Sequence, residues 1–218
     1  EKPGSLFLPD VDIRLKGITH PYVSRGGLKL EKALDEFNIN VKNQIAMDIG
    51  SSTGGFTDCL LQHGAAYVIA IDVGYGQLDW KLVSDERVRN MEKTNFRYLT
   101  LSDVGTFVDF IAIDVSFISL TKILQNCLGF LKSGGNLVAL IKPQFEAGKK
   151  NIRKGGVVND PQIRSQVIND IRIHSELLGY VVKQINPSPI QGKKSGNHEY
   201  LIHLIKPAYS HADSVVPQ

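Results

Sequence analysis

The stretch Met47-Asp48-Ile49-Gly50-Ser51-Ser52-Thr53-Gly54-Gly55-Phe56-Thr57 joins an apolar run to a helix-length segment. Glycines at such a junction permit a tight turn and let a ligand approach the backbone closely. In an open parallel sheet, the first crossover of this kind is where ligands sit, against strand ends and a helix N-terminus. Asp72 closes the next apolar run, 22 residues after Gly50, where a carboxylate can accept both hydroxyls of an adenosine ribose. A dinucleotide site wants G-x-G-x-x-G, and the spacing of Gly50, Gly54 and Gly55 does not supply it. A phosphate-binding P-loop wants a lysine after its last glycine, and none follows Gly55. Residues 50–54 do match the G-x-S-x-G elbow of a serine hydrolase, with Ser52 as nucleophile and Asp114 and His198 following in order. That elbow would follow the first clear strand, and no HGGG-type oxyanion segment accompanies it. The remaining reading is an S-adenosylmethionine loop, D-x-G-x-x-x-G-G. It uses Asp48, Gly50, Gly54 and Gly55 together with Asp72, and places Ser51, Ser52, Thr53 and Phe56 around the cofactor. A glycine turn of structural meaning alone is the plainer alternative, and it leaves Asp72 unexplained.

Three charged residues flank other apolar runs. Asp114 ends Ala112-Ile113-Asp114, Lys142 ends Ala139-Leu140-Ile141-Lys142, and Glu199 precedes Tyr200-Leu201-Ile202. Charges beside buried strands are costly unless they are paired. A charge at a strand end pointing into water is the ordinary explanation for any one of them, but less so for three around one cofactor loop. The set suits methyl transfer to a hydroxyl, in which the enzyme aligns an oxygen and helps remove its proton. Burial lowers a lysine's pKa while neighbouring carboxylates raise it, so Lys142 is the candidate base. Asp114 and Glu199 would orient it and a second lysine.

These residues need a scaffold that brings them to one edge. Apolar runs at 45–50, 67–73, 87–92, 110–115, 136–142, 180–186 and 200–206 alternate with helix-length segments. Several are nearly continuous, as strands buried on both faces are. The pattern predicts helices over 24–37, 56–63 and 120–131, the last ending at the turn Ser133-Gly134-Gly135. Asp160-Pro161 opens another, to about Leu178, with an aspartate cap and proline in the first turn. Strand–helix alternation of this kind predicts an α/β fold, a mostly parallel seven-stranded sheet with helices on both faces. At 218 residues the chain can bury a substantial core. No apolar run reaches the roughly 18 residues that span a bilayer, and the first residues lack signal-peptide order. Two cysteines are too few for a disulfide framework or a zinc site, which points to a reduced, cytoplasmic setting and no metal.

The net charge of +3 conceals a polarity. Residues 142–156 carry five basic side chains (Lys142, Lys149, Lys150, Arg153 and Lys154) against Glu146, a balance of +4. Lys193 and Lys194 add +2, leaving −3 for the remainder. Basic loops beside a catalytic edge suit a phosphate backbone, although most charge runs are simply solvated. Aromatic residues for base stacking are sparse in these segments, Phe145 and Tyr200 being those at hand.

Five segments in order (Tyr22 to Leu30, Asp48 to Phe56, Asp114 to Ser119, Lys142 to Glu146 and Gly196 to Tyr200) resemble the TlyA family of RNA ribose 2′-O-methyltransferases. Members are also named haemolysins, and their catalytic domain is FtsJ-like. The resemblance spans about residues 22–207 and implies a Rossmann-like class I methyltransferase with S-adenosylmethionine as cofactor. It implies a substrate cytidine in ribosomal RNA or assembled ribosomal subunits, with no membrane partner. It also implies a lysine–aspartate–lysine–glutamate tetrad on Lys29, Asp114, Lys142 and Glu199, and Asn95 near the adenine. Lys29 carries no signal in its spacing and would otherwise read as a solvated helix charge. By the same resemblance, residues 1–20 would be the end of an S-four-type RNA-binding domain with its linker. The catalytic domain would occupy 21–208, and 209–218 a tail. A membrane-lytic protein remains the alternative that the haemolysin name suggests, although no long amphipathic or spanning segment is present.

Overall fold

The computed structural model describes residues 20–152, 156–190 and 196–208, without the Lys149 side chain. The expected N-terminal remnant up to residue 19 and the tail lie outside the described residues, as do Arg153, Lys154, Lys193 and Lys194. Seven strands form one sheet: β1 (Ile45–Ile49), β2 (Tyr67–Ile71), β3 (Val88–Met91), β4 (Val108–Ile113), β5 (Leu131–Ile141), β6 (Val181–Pro187) and β7 (Tyr200–Ile205). Their order is β3-β2-β1-β4-β5-β7-β6. Neighbours from β3 to β5 pair in parallel, and β7 alone runs antiparallel to both its neighbours.

The continuous apolar runs follow from burial of both sheet faces. Successive side chains alternate between faces, so Met47, Ile49, Ile111, Ile113 and Leu137 join one core layer. Ala46, Val68, Ala70, Phe110, Ala112 and Val138 join the other. That second layer is closed by α1 (Gly26–Glu36) and α2 (Gly55–Gln62). Short helices α3 (Trp80–Val83), α4 (Leu101–Val104), α5 (Leu124–Cys127) and α6 (Pro143–Glu146) cap the connections, and α7 (Pro161–Leu177) packs beside β6. Asp160 caps α7 as anticipated, its Oδ1 accepting the Gln162 N–H at 2.8 Å.

Two segments differ from the sequence expectation. The helix expected over 120–131 is a 3₁₀ turn at Leu120–Lys122 followed by α5. Ile123 breaks the regular geometry between them at φ −112°, and Asn126 turns its amide to the Phe96 and Leu99 carbonyls. The turn expected at Ser133-Gly134-Gly135 is an irregular stretch within β5. There the pairing with β4 jumps from Leu131 to Asn136, and Gly134 and Gly135 exchange backbone bonds with Lys206.

α1 sits unusually close to the glycine loop. A Cβ on Gly55 would lie 2.3 Å from Ser24 Oγ, 2.9 Å from Gly27 N and 3.2 Å from Gly26 Cα. The segment entering α1 is tied down by the Val23 N–H, which donates to buried Asp58 Oδ2 at 2.8 Å. Gly55→Ala is therefore expected to force α1 off α2 and to cost about 1–3 kcal/mol of stability, measured by urea unfolding.

Candidate active site

The carboxyl ends of β1, β2, β4 and β5 open on one edge, and antiparallel β7 brings its amino end there. Ile141 pairs with Tyr200, so Lys142 and Glu199 are delivered side by side by the residues just beyond that pair. Asp114 follows β4, and its N–H donates to Ile49 O at 3.0 Å. Lys29 arrives from α1. Its Nζ donates to Glu199 Oε2 at 2.6 Å and lies 3.9 Å from Asp114 Oδ2. Lys142 Nζ lies 2.5 Å from Asp114 Oδ1 and donates to Ser116 Oγ at 3.2 Å. The order Glu199–Lys29–Asp114–Lys142 alternates in charge. Lys142 and Glu199 are 7% and 5% exposed, and pairing of this kind is what makes such burial tolerable.

The glycine loop borders this chain of charges. Gly50 has φ 85°, and a Cβ there would stand 2.7 Å from Asp114 O. Glycine thus lets the ends of β1 and β4 touch and form a floor. Asp72 holds the loop from the side, its Oδ2 accepting the Ser52 N–H at 2.8 Å and its Oδ1 accepting the Gly74 N–H at 2.7 Å. A carboxylate has about four acceptor positions, so Asp72 keeps capacity toward the cavity it lines. Asn95 lines the same cavity, and its Oδ1 caps the turn at Phe96–Tyr98.

Asp48 lies beneath the loop with no exposure, and its Oδ2 accepts the Thr57 hydroxyl at 2.7 Å. Burial pushes its carboxyl up to about 7, with Asp114 and Asp72 adding to the rise. The folded protein therefore holds this proton more tightly than the unfolded chain, whose value is near 3.8. The resulting stability is present below about pH 4 and is lost as pH rises through about 7, a change of a few kcal/mol. Asp48→Asn keeps an acceptor for Thr57 and removes the titration. Urea unfolding at pH 4 and pH 8 should show the variant gaining on the wild type at the higher pH.

Two clefts meet at these residues. One, of about 500 Å³, runs past Gly50, Ser52, Asp72, Asn95 and Asp114. The other, of about 870 Å³, lies on the α1 side against Arg25, Lys29, Ser51, Thr53 and Lys142, with Gly55 and Phe56 in its wall. Gly50, Ser52, Asp114 and Ser116 border both. A group in the first cleft can therefore reach one in the second across this shared wall. Gly54, at φ 94°, instead faces the Leu78 and Leu82 side chains.

The model of the FtsJ-like methyltransferases matches residues 22–206. The chain belongs to the FtsJ-like methyltransferase family. Within it, the chain is 45% identical over 183 residues to the 16S/23S rRNA (cytidine-2′-O)-methyltransferase TlyA of Mycobacterium tuberculosis, spanning 84% of this chain and 68% of that protein. It is 46% identical to hemolysin A of Brachyspira hyodysenteriae over 84% of this chain and 77% of that one. A solved Streptococcus thermophilus structure that bears a hemolysin name superposes with a TM-score of 0.84 at 51% identity. That superposition covers 89% of this chain and 70% of the other.

As a member of this methyltransferase family, the chain does not use its elbow-like loop as a hydrolase would. The Ser52 hydroxyl donates to Gln77 Oε1 at 3.4 Å, and Asp114 is engaged by lysines. The glycine floor, Asp72 and the 500 Å³ cleft fit an adenosyl cofactor by donor set and room. Lys150 is exposed in the turn at Lys149–Asn151, and the rest of the expected basic loops lies outside the described residues.

Phe117 was missed by sequence reasoning. It is 90% exposed, adopts φ 64° and tilts against Phe145 with ring centroids 5.0 Å apart. A phenylalanine two residues beyond an apolar run reads as core, so its type gave no signal. Tyr200, named with Phe145 as available for stacking, instead packs half-buried against the core. Two aromatic–cation pairs lie beyond β2 and β3, Lys93 over Tyr75 and, in the turn at Phe96–Tyr98, Arg97 over Tyr98.

Proposed function

We propose that the chain is an S-adenosylmethionine-dependent ribose 2′-O-methyltransferase acting on cytidine in ribosomal RNA. The observation that carries this reading is the Glu199–Lys29–Asp114–Lys142 chain, buried at its two ends, at the wall shared by two clefts. The matching activity of the 45% identical TlyA supports it. When bound, the cofactor supplies an electrophilic methyl group on a sulfonium. Asp72 would accept hydrogen bonds from its ribose hydroxyls, Asn95 would stand on the adenine side, and Gly50 to Gly55 would let it approach the backbone. Lys142 meets the substrate 2′-hydroxyl and assists loss of its proton, and Asp114 orients Lys142. Glu199 holds Lys29, which steadies the ribose or its phosphate.

Phe117 offers an exposed ring at the mouth of the cofactor cleft, where an unpaired base can stack. Base–aromatic stacking is worth about 1–3 kcal/mol, so Phe117→Ala should raise the RNA KM by about tenfold at saturating cofactor. Steady-state methylation of ribosomal subunits measures this. The basic loops with Lys149, Lys150, Arg153, Lys154, Lys193 and Lys194 are proposed to track the RNA backbone. Residues 1–20 are proposed as the end of an RNA-binding domain. Such a substrate is met in the cytoplasm.

The decisive experiment incubates the protein with tritiated cofactor and ribosomal subunits lacking the modification. Label on a cytidine ribose supports the reading, and no label on either subunit overturns it. No helix among the described residues is long and apolar enough to cross a membrane. Liposome leakage by the purified protein would instead favour the lytic alternative.

A further inference from the structure

The segment between Asp114 and Leu120 carries a conformation that needs support. A bulky residue at positive φ is strained by about 1–3 kcal/mol and persists only where the surroundings over-determine it. Phe117 is such a residue, at φ 64° and exposed. At its near end the segment is held by Asp114 N–H to Ile49 O, and by Lys142 on Asp114 and Ser116. At its far end one side chain takes that role. Glu146 Oε1 accepts the Leu120 N–H at 2.9 Å. Glu146 closes α6, the single turn that begins immediately after Lys142 and in which the Phe145 N–H returns to Lys142 O at 2.8 Å. The same turn presents Phe145 to the Phe117 ring.

α6 and the Lys142 that precedes it therefore grip the segment at three points, through Lys142, Phe145 and Glu146. Burial raises the Glu146 carboxyl above its ordinary range, with the nearby Ser119 hydroxyl, the Leu120 N–H and His174 of α7 opposing the rise. The group this half-buried carboxyl holds is the Leu120 N–H, three residues beyond Phe117 in the same segment.

We propose that Glu146 is a positioning residue for methyl transfer, clamping the 114–120 segment onto the turn that carries Lys142. The proposal rests on the functional reading above. Its acceptor oxygen fixes the segment, so glutamine in its place keeps the clamp and alanine releases it. Misplacement of reacting groups by about 1 Å can cost on the order of 100-fold in rate.

The test combines single-turnover methylation of ribosomal subunits with hydrogen exchange at the Leu120 amide. Glu146→Ala should lower the rate by about 30-fold and accelerate Leu120 exchange by at least about tenfold. Glu146→Gln should stay within about threefold of the wild type in both. Glu146→Asp, which withdraws the carboxylate by one methylene, should behave like alanine and serves if alanine fails to fold. A folded alanine or aspartate variant at the wild-type rate would overturn the proposal, as would a glutamine variant as slow as alanine. If the wild type methylates no ribosomal RNA, the functional reading falls, while Leu120 exchange still decides whether the clamp exists.

Discussion

Lys142→Ala should lose methyl transfer by about 1,000-fold, the middle of the range for removing a positioned acid–base group. Cofactor affinity should stay within about threefold, because Lys142 borders the α1-side cleft and not the one past Asp72. The fold should survive, since Asp114 keeps Lys29 at 3.9 Å and the Ile49 carbonyl behind it. Lys142→Arg should be nearly as inactive. A guanidinium preserves the ion pair to Asp114 but cannot serve as a base. Single-turnover transfer to ribosomal subunits, with cofactor binding followed by calorimetry, separates the two effects. Wild-type transfer by the alanine variant would remove Lys142 from the mechanism.

Asp72→Ala should weaken cofactor binding by about 100-fold, and transfer should fall with it. Hydrogen bonds to a charged group contribute about 1.5–3 kcal/mol, and removing one partner leaves the other unsatisfied. Here the carboxylate serves twice. It is the acceptor on offer to a ribose, and it holds the Ser52 and Gly74 N–H groups that shape the loop. Asp72→Asn retains acceptor capacity at one oxygen only and should lose about tenfold. Calorimetric titration reads both variants, and an alanine variant that binds cofactor as tightly as the wild type would exclude Asp72 from the site. A joint result, with Asp72→Ala failing to bind and Lys142→Ala binding without transfer, would assign the clefts to cofactor and substrate.

The strands were legible because burial on both faces writes an unbroken apolar run, from Ile45-Ala46-Met47 to Tyr200-Leu201-Ile202. Asp114, Lys142 and Glu199 were legible for a related reason: a charge against such a run must be paired or wasted. Lys29 was not legible from physics. Its neighbours on α1 include other charged residues, and its burial arises from Glu199, 170 residues away. Only the resemblance marked it. The Leu120–Leu131 helix failed because its apolar spacing fits one continuous helix, while the structure spends Asn126 on distant carbonyls and breaks at Ile123. Phe117 failed because residue type cannot report that a ring is held outward by a left-handed backbone.

The reversed course of β7 has a consequence for how specificity can diverge. In a sheet of wholly parallel strands, every loop at the reactive edge would follow a strand. Reversal makes the connection that precedes β7 an edge loop too, and it delivers Glu199 from the far half of the sheet. The residues facing the 500 Å³ cleft lie between Ile49 and Ile123. The connections after β5 and before β7 lie outside that interval. On the proposed function, insertions or charge changes in those two connections would alter which RNA is accepted and leave the residues of the 500 Å³ cleft unchanged. The 500 Å³ cleft is drawn from one stretch of chain, whereas the α1-side cleft gathers α1, the glycine loop, Lys142 and Ile190, and the two share Gly50, Ser52, Asp114 and Ser116.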